Sequence, residues 1–215
     1  MRQFATMFKL VVGVVLLATV YAVDFEIRNK EIGAIWVGIQ GNDGKTPLAG
    51  GGFILEAGAS TDWNAGVTEE LPPASLAEIT LHGWGDLDYY DISLVDGFNI
   101  PVAFEPVNGN GDGSQYSCAK AKCEHHYNDD CPAELQLTTE HGVVGCKSAC
   151  LAFDTDEYCC RGSHGTPETC KSSDWAQDYP AYFKKWCPDA YSYAYDDHKS
   201  TFTCQASKYI VTFGI

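Results

Sequence analysis

The first 117 residues contain no cysteine, although the chain has ten, and all ten fall between Cys118 and Cys204. That absence excludes covalent stapling from the N-terminal half, which must hold together by sheet packing, while the C-terminal half must be loop-rich and bridged. Basic residues are scarce as well: 14 Lys+Arg face 29 Asp+Glu, a formal charge of −15. Such a chain is repelled at long range by nucleic acid and by anionic membrane surfaces, so neither is an expected partner. A membrane-spanning run is also missing. The apolar stretch 10–20 falls short of the ~20 residues that a bilayer-crossing helix needs. Finally, no long amphipathic helix pattern appears before Val107, which points to a β-sandwich or barrel.

What the N-terminus does contain is a short basic start, Arg2 and Lys9, then the apolar stretch, then the small residues Val20 and Ala22. That order reads as a secretory signal peptide over residues 1–22, with a mature, extracellular chain beginning near Val23. Taking Arg2 and Lys9 from the 14 basic residues leaves 12 against 29 acidic ones, a formal charge of −17.

The stretch 76–102, LAEITLHGWGDLDYYDISLVDGFNIPV, carries the densest signal. Leu76, Glu78 and Thr80 alternate with Ala77, Ile79 and Leu81, a strand pattern. A second apolar run, 89–95, follows a Gly-Asp turn and closes on Asp96-Gly97. Glu78, Asp91 and Asp96 therefore sit on or beside two neighbouring strands. On pattern alone they fit a solvated strand face as well as a functional one. Strand parity puts Asp91 and Asp96 on opposite faces unless the turn swings the second back.

Elsewhere, residues 24–38 hold two short β-prone segments, 53–56 resumes a strand pattern, and 57–73 is poor in order signals. The NGNGDGS loop, 108–114, echoes a calcium loop but lacks its acidic first ligand and has Ala119 where the closing Glu belongs, so no metal is expected. Cys123, His125, His126 and Cys131 have zinc-like spacing, yet a disulfide framework is the better reading in a secreted chain. Cys159 and Cys160 are adjacent and need different partners. Tyr179, Tyr182, Phe183 and Trp186 follow a helical spacing with Pro180 in the first turn, and read as core rather than ligand cleft. Near the end, Asp196 and Asp197 precede strands at 200–204 and 208–213, and a solvated loop suffices to explain the pair.

Taken in order, DFEIRN, LAEITL, DYYDISLVDGFNIPV, EYCCRG, KKWCPDAYSYAYDD, STFTC and YIVTF resemble the thaumatin-like, pathogenesis-related defence family over most of residues 23–215. The resemblance implies a mainly β fold: a flattened β-sandwich from 23–123 and 188–215, and a disulfide-rich lobe of loops and short helices from 124–187. It implies the bridges Cys118–Cys204, Cys123–Cys187, Cys131–Cys146, Cys150–Cys159 and Cys160–Cys170. It also implies an acidic cleft built from Glu78, Asp91, Asp96 and Asp197, associated with β-1,3-glucan binding, antifungal action and, in some members, weak endo-glucanase activity. No cofactor is implied, and the chain is expected to act as a monomer.

The departures are specific. A cysteine-rich segment of several dozen residues with a cleft arginine is missing after Gly66, and Glu31 and Gly214 stand where the family has its first and last cysteines. The lost cysteines account for whole bridges, so no thiol is orphaned. Either the chain is a natural short form or an exon is skipped between the codons of Gly66 and Thr68; transcripts across that junction separate the two.

Glycoside hydrolysis needs one protonated and one ionised carboxyl. Glu78 is the candidate acid and Asp96 the candidate base, with Asp91 tuning the field by like-charge repulsion. Tyr89, Tyr90 or Trp84 could stack on a pyranose face. Without the arginine, repulsion among the carboxyls grows and more of them hold protons, which favours binding over hydrolysis. A stapled scaffold without a working cleft, or an enzyme inhibitor, is the remaining alternative.

Overall fold

The computed structural model describes residues 23–39, 49–62, 66–67, 72–197 and 200–215; the expected signal peptide, Trp63 and Thr68 lie outside the described residues. In chain order the described strands are β1 (Asp24–Asn29), β2 (Ile35–Gly38), β3 (Ala49–Leu55), β4 (Ser60–Asp62), β5 (Gly66–Val67), β6 (Leu76–Thr80), β7 (Asp88–Ser93), β8 (Val102–Val107), β9 (Ala121–Cys123), β10 (Gln136–Thr139), β11 (Gly142–Cys146), β12 (Phe202–Cys204) and β13 (Lys208–Phe213). Two short helices, α1 (Ala149–Phe153) and α2 (Tyr179–Lys184), lie between β11 and β12. β4 is a correction to the sequence reading: in a stretch poor in order signals, three residues pair antiparallel with β1.

Two sheets face each other over an aromatic core. One has the order β4-β1-β13-β8-β9, the other β12-β7-β6. On β7, Tyr90 and Ile92 are buried, and the period of two turns Tyr89, Asp91 and Ser93 to the opposite face. The Tyr90 ring lies 5.3 Å from Phe104 of β8, 5.6 Å from Tyr209 of β13 and 5.5 Å from Phe202 of β12. Burying each such ring contributes roughly 1.5–3 kcal/mol, so this cluster fixes which face of β7 points inward. The Tyr209 hydroxyl donates to the buried Asp88 carboxylate at 2.7 Å, giving that inward carboxylate a partner.

The cysteine-containing half is held differently. Its five bridges are the five pairs implied by the resemblance, and among the described residues no cysteine is free. In α2 the Asp178 side chain accepts from the Ala181 amide at 3.1 Å and Pro180 occupies the first turn, with Tyr179 and Phe183 buried. The glycine-rich loop has a packing reason as well: a Cβ on Gly109 would stand 2.1 Å from the Cys204 sulfur. Glu31 and Gly214 are spatial neighbours, since a Cβ on Gly214 would lie 2.7 Å from the Glu31 backbone nitrogen.

Candidate functional site: a carboxyl groove at the β6–β7 face

β6 and β7 pair antiparallel, with Glu78 directly opposite Asp91 and Leu76 opposite Ser93. Directly opposed residues hold their Cβ atoms about 4.5–5.5 Å apart, so register alone brings two carboxyls together on the face turned away from the aromatic core. Asp96 reaches the same face because the chain leaves the ladder after Ser93. The Gly97 amide donates to Leu94 O at 2.9 Å, and the Ala74 amide donates to Asp96 O at 2.9 Å. Gly97 sits at φ +83°, and a Cβ there would come within 2.6 Å of Pro73 and 2.7 Å of Cys146 O. Only glycine suits that corner. The turn thus overrides strand parity, and Leu76, Glu78, Asp91, Ser93, Val95, Asp96, Tyr191 and Ala194 line one groove of about 280 Å³.

The opposite wall arrives from the bridged half. The Tyr191 amide donates to Ile92 O at 2.9 Å and the Leu94 amide to Tyr191 O at 2.8 Å, which docks this segment along the end of β7. The Tyr191 hydroxyl donates to Asp197 at 2.8 Å and also meets Thr201 Oγ1. Behind it, Lys184 Nζ donates to Pro188 O, Ala190 O and Ser200 Oγ and pairs with Asp196 at 2.8 Å. Asp196 in turn accepts from both the amide and the hydroxyl of Ser192. The two adjacent aspartates therefore differ: Asp196 braces the wall, and Asp197 stands behind Tyr191, outside the groove lining.

Asp91 is the unusual group. Its Oδ1 is buried, with no hydrogen-bond partner among the described residues. Burial, then the Glu78 charge, then the Asp197 charge push its pKa up to about 8, so at neutral pH it is mostly a protonated donor. Glu78 has an exposed face, but its carboxyl is crowded by protein and held above its usual range, chiefly by burial and further by Asp96, with a Ser93 hydrogen bond pulling the other way. Burial also raises the Tyr191 phenol, so it stays protonated and able to donate. The sequence reading gave Asp91 a tuning role; its burial opposite Glu78 leaves both carboxyls held above their usual range.

The aromatic expectations divide. Tyr90 is wholly buried and donates its hydroxyl to Ala119 O, so no ring face is open to a ligand. Tyr89 shares the Asp91 face but is not in the groove lining; its hydroxyl donates to Trp84 O at 3.1 Å. Trp84 is 85% exposed on the hairpin turn. The aromatic that does line the groove, Tyr191, was missed by sequence reasoning, as was Ser93. Ser93 was recoverable as the parity mate of Asp91; nothing in DAYSYAYDD singles out Tyr191 before the chain folds. The zinc-like cluster resolves into the Cys123–Cys187 and Cys131–Cys146 bridges, and His125 stacks on Trp186 with centroids 4.7 Å apart.

Comparison with known proteins identifies the family. The family model described as the Thaumatin family matches residues 63–215. A pathogenesis-related thaumatin-like protein 3.5 of Cryptomeria japonica is 40% identical over 224 aligned positions, covering 88% of each chain. Pathogenesis-related protein 5 of Arabidopsis thaliana is 40% identical over 227 positions, covering 90% of this chain and 91% of its own. A Prunus avium protein named glucan endo-1,3-beta-glucosidase is 47% identical over 145 positions, covering 66% of this chain and 56% of its own. The chain belongs to the thaumatin family of pathogenesis-related, thaumatin-like proteins.

Proposed function

We propose that the protein is a secreted, antifungal defence protein that binds β-1,3-glucan, or a closely similar neutral polysaccharide, in the groove of Glu78, Asp91 and Asp96. The observation that carries this reading is the convergence of three carboxyls and the Tyr191 ring on one groove. Carboxylates accept from sugar hydroxyls, a protonated Asp91 donates to them, and the phenol ring offers an apolar wall. The charge of −15 favours an uncharged polymer over an anionic one.

Retention on insoluble β-1,3-glucan tests this directly. Wild type should be retained, and Glu78→Gln, Asp91→Asn and Asp96→Asn should each weaken retention roughly tenfold. No retention, or retention that survives all three substitutions, overturns the reading and leaves a scaffold or inhibitor role.

A second reading, weak endo-glucanase activity, draws on Asp91 holding a proton near neutral pH directly across from Glu78. In that scheme Asp91 is the acid, and Glu78 or Asp96 the base or nucleophile. The name of the Prunus avium relative points the same way. Release of reducing ends that is abolished by Asp91→Asn supports it; release unchanged by that substitution, or absent in wild type, excludes it.

A further inference from the structure

The hairpin that carries Glu78 and Asp91 ends in the turn 81–87, and this turn is built in an unusual way. Trp84 is 85% exposed at its tip, yet the backbone around it is tightly fixed. His82, Gly85 and Asp86 all have positive φ, at 51°, 73° and 58°. The His82 ring pairs with Asp86 at 2.9 Å, and its amide donates to Asp88 Oδ1 at 3.0 Å. The Gly83 amide donates to Leu87 O at 2.7 Å, and the Gln205 side chain donates to Asp86 O at 2.9 Å.

The turn also leans toward the groove side. Tyr89 is on the Asp91 face by strand parity. Its hydroxyl donates to Trp84 O, and a Cβ on Gly83 would stand 2.8 Å from the Tyr89 ring. Tyr89 is therefore a pedestal under the turn, and Trp84 is the ring left open. The Thr80–Tyr89 pair lies two pairs beyond Glu78–Asp91 in the ladder, about 7 Å along the strands. Groove, pedestal and tip follow one another along the hairpin.

We propose that Trp84 is a second saccharide contact, an aromatic platform for a sugar ring further along the same glucan chain that occupies the groove. The occupant follows from continuity: the turn that carries Trp84 packs on Tyr89, which shares a face of β7 with Asp91, and an exposed aromatic ring stacks on a pyranose face. This inference rests on the groove being the glucan site.

The test uses the full secreted chain and two probes: a β-1,3-linked glucose disaccharide, and a long linear oligomer of the same linkage. Trp84→Ala should lower affinity for the long oligomer roughly tenfold and leave that for the disaccharide unchanged. Trp84→Phe, which keeps a ring, should recover most of the loss. Because the residue is exposed, the melting temperature of either variant should match wild type, which separates lost binding from lost folding. Unchanged affinity for both probes in Trp84→Ala, with Glu78→Gln still weakening both, overturns the platform and leaves the groove intact. An equal loss for both probes places the effect in the groove and also overturns it. If wild type binds neither probe, the groove reading falls, and the platform falls with it.

Discussion

The two walls of the groove are built by different physics. The Glu78, Asp91 and Asp96 wall belongs to a cysteine-free hairpin, and its placement comes from strand register plus one glycine corner. The Tyr191 and Ala194 wall belongs to a segment tethered by the Cys123–Cys187 bridge and gripped by Lys184. Register is local, specified by the hairpin's own alternation. The second wall is non-local: it exists only when a bridge spanning 64 residues and a lysine with four oxygen partners hold it against β7. A site split this way should fail in two distinguishable manners.

The largest effect is expected on the bridged wall. Replacing Cys123 and Cys187 by serine removes a bridge whose cysteines are both 1% exposed, at a cost of about 3–5 kcal/mol. Chemical denaturation should show that loss, and glucan retention should disappear even where the protein remains folded, with all three carboxyls untouched. Retention that persists in folded double variant would mean the hairpin wall suffices.

Next comes the glycine corner of the other wall. Gly97→Ala strains a φ of +83° and drives a methyl into Pro73 and Cys146 O, which should cost about 2–3 kcal/mol. Since Asp96 is carried by that corner, retention should fall more than in Asp96→Asn. An equal effect would show that the corner does not position the carboxyl.

The third test separates the groove from the outer sheet by pH. Asp91 has a folded pKa raised to about 8, against roughly 3.9 when unfolded. Between those values the folded state keeps a proton that the unfolded chain has released, so stability falls as pH rises from about 4 toward 8. Glu26, on β1, behaves oppositely. Its pKa is lowered to about 2 by hydrogen bonds from Arg28 and Lys208, so its contribution is present above about 4.5 and is lost as pH falls toward 2. Asp91→Asn should therefore gain stability relative to wild type steadily as pH rises from about 4 to about 8, read from denaturation midpoints across that range. A constant difference would mean that Asp91 ionises normally.

The smallest effect concerns Glu31 and Gly214, which by the resemblance stand where the family has its first and last cysteines, and which touch in the fold. The double substitution Glu31→Cys, Gly214→Cys should close a sixth bridge. The entropic gain is offset by the positive φ of +72° at position 214 and by a Cβ only 2.7 Å from the Glu31 backbone nitrogen, so the net stabilisation should be no more than about 1 kcal/mol. Mass analysis with and without reductant checks closure, and melting checks the gain. Two free thiols after oxidative refolding would refute the expected geometry.

Much of this was legible in the chain and some of it was not, for identifiable reasons. The alternation in LAEIT and DYYDIS sets inward Tyr90 and Ile92 against outward Glu78 and Asp91, because a side chain's face in a strand is settled by parity. Yet parity misplaced Asp96, since the ladder stops at Ser93 and a turn then governs direction. Tyr90 had the composition of a sugar-stacking ring, but the sheet packs that face inward. The neighbouring aspartates 196 and 197 are identical in sequence terms, and only the approach of Lys184 and Tyr191 divides them into brace and backing.

By itself, then, the sequence determined the β-rich class, the bridged and unbridged halves, and the pair of carboxyls that face each other across one hairpin, because alternation and cysteine placement act over short stretches of chain. The folded structure alone decided that the turn swings Asp96 toward them, that Tyr191 closes the groove, and that Asp91 is the carboxyl whose Oδ1 is shut away from water. Those outcomes depend on which distant segments exclude solvent from a given atom, and solvent exclusion is a property of packing, not of neighbours along the chain.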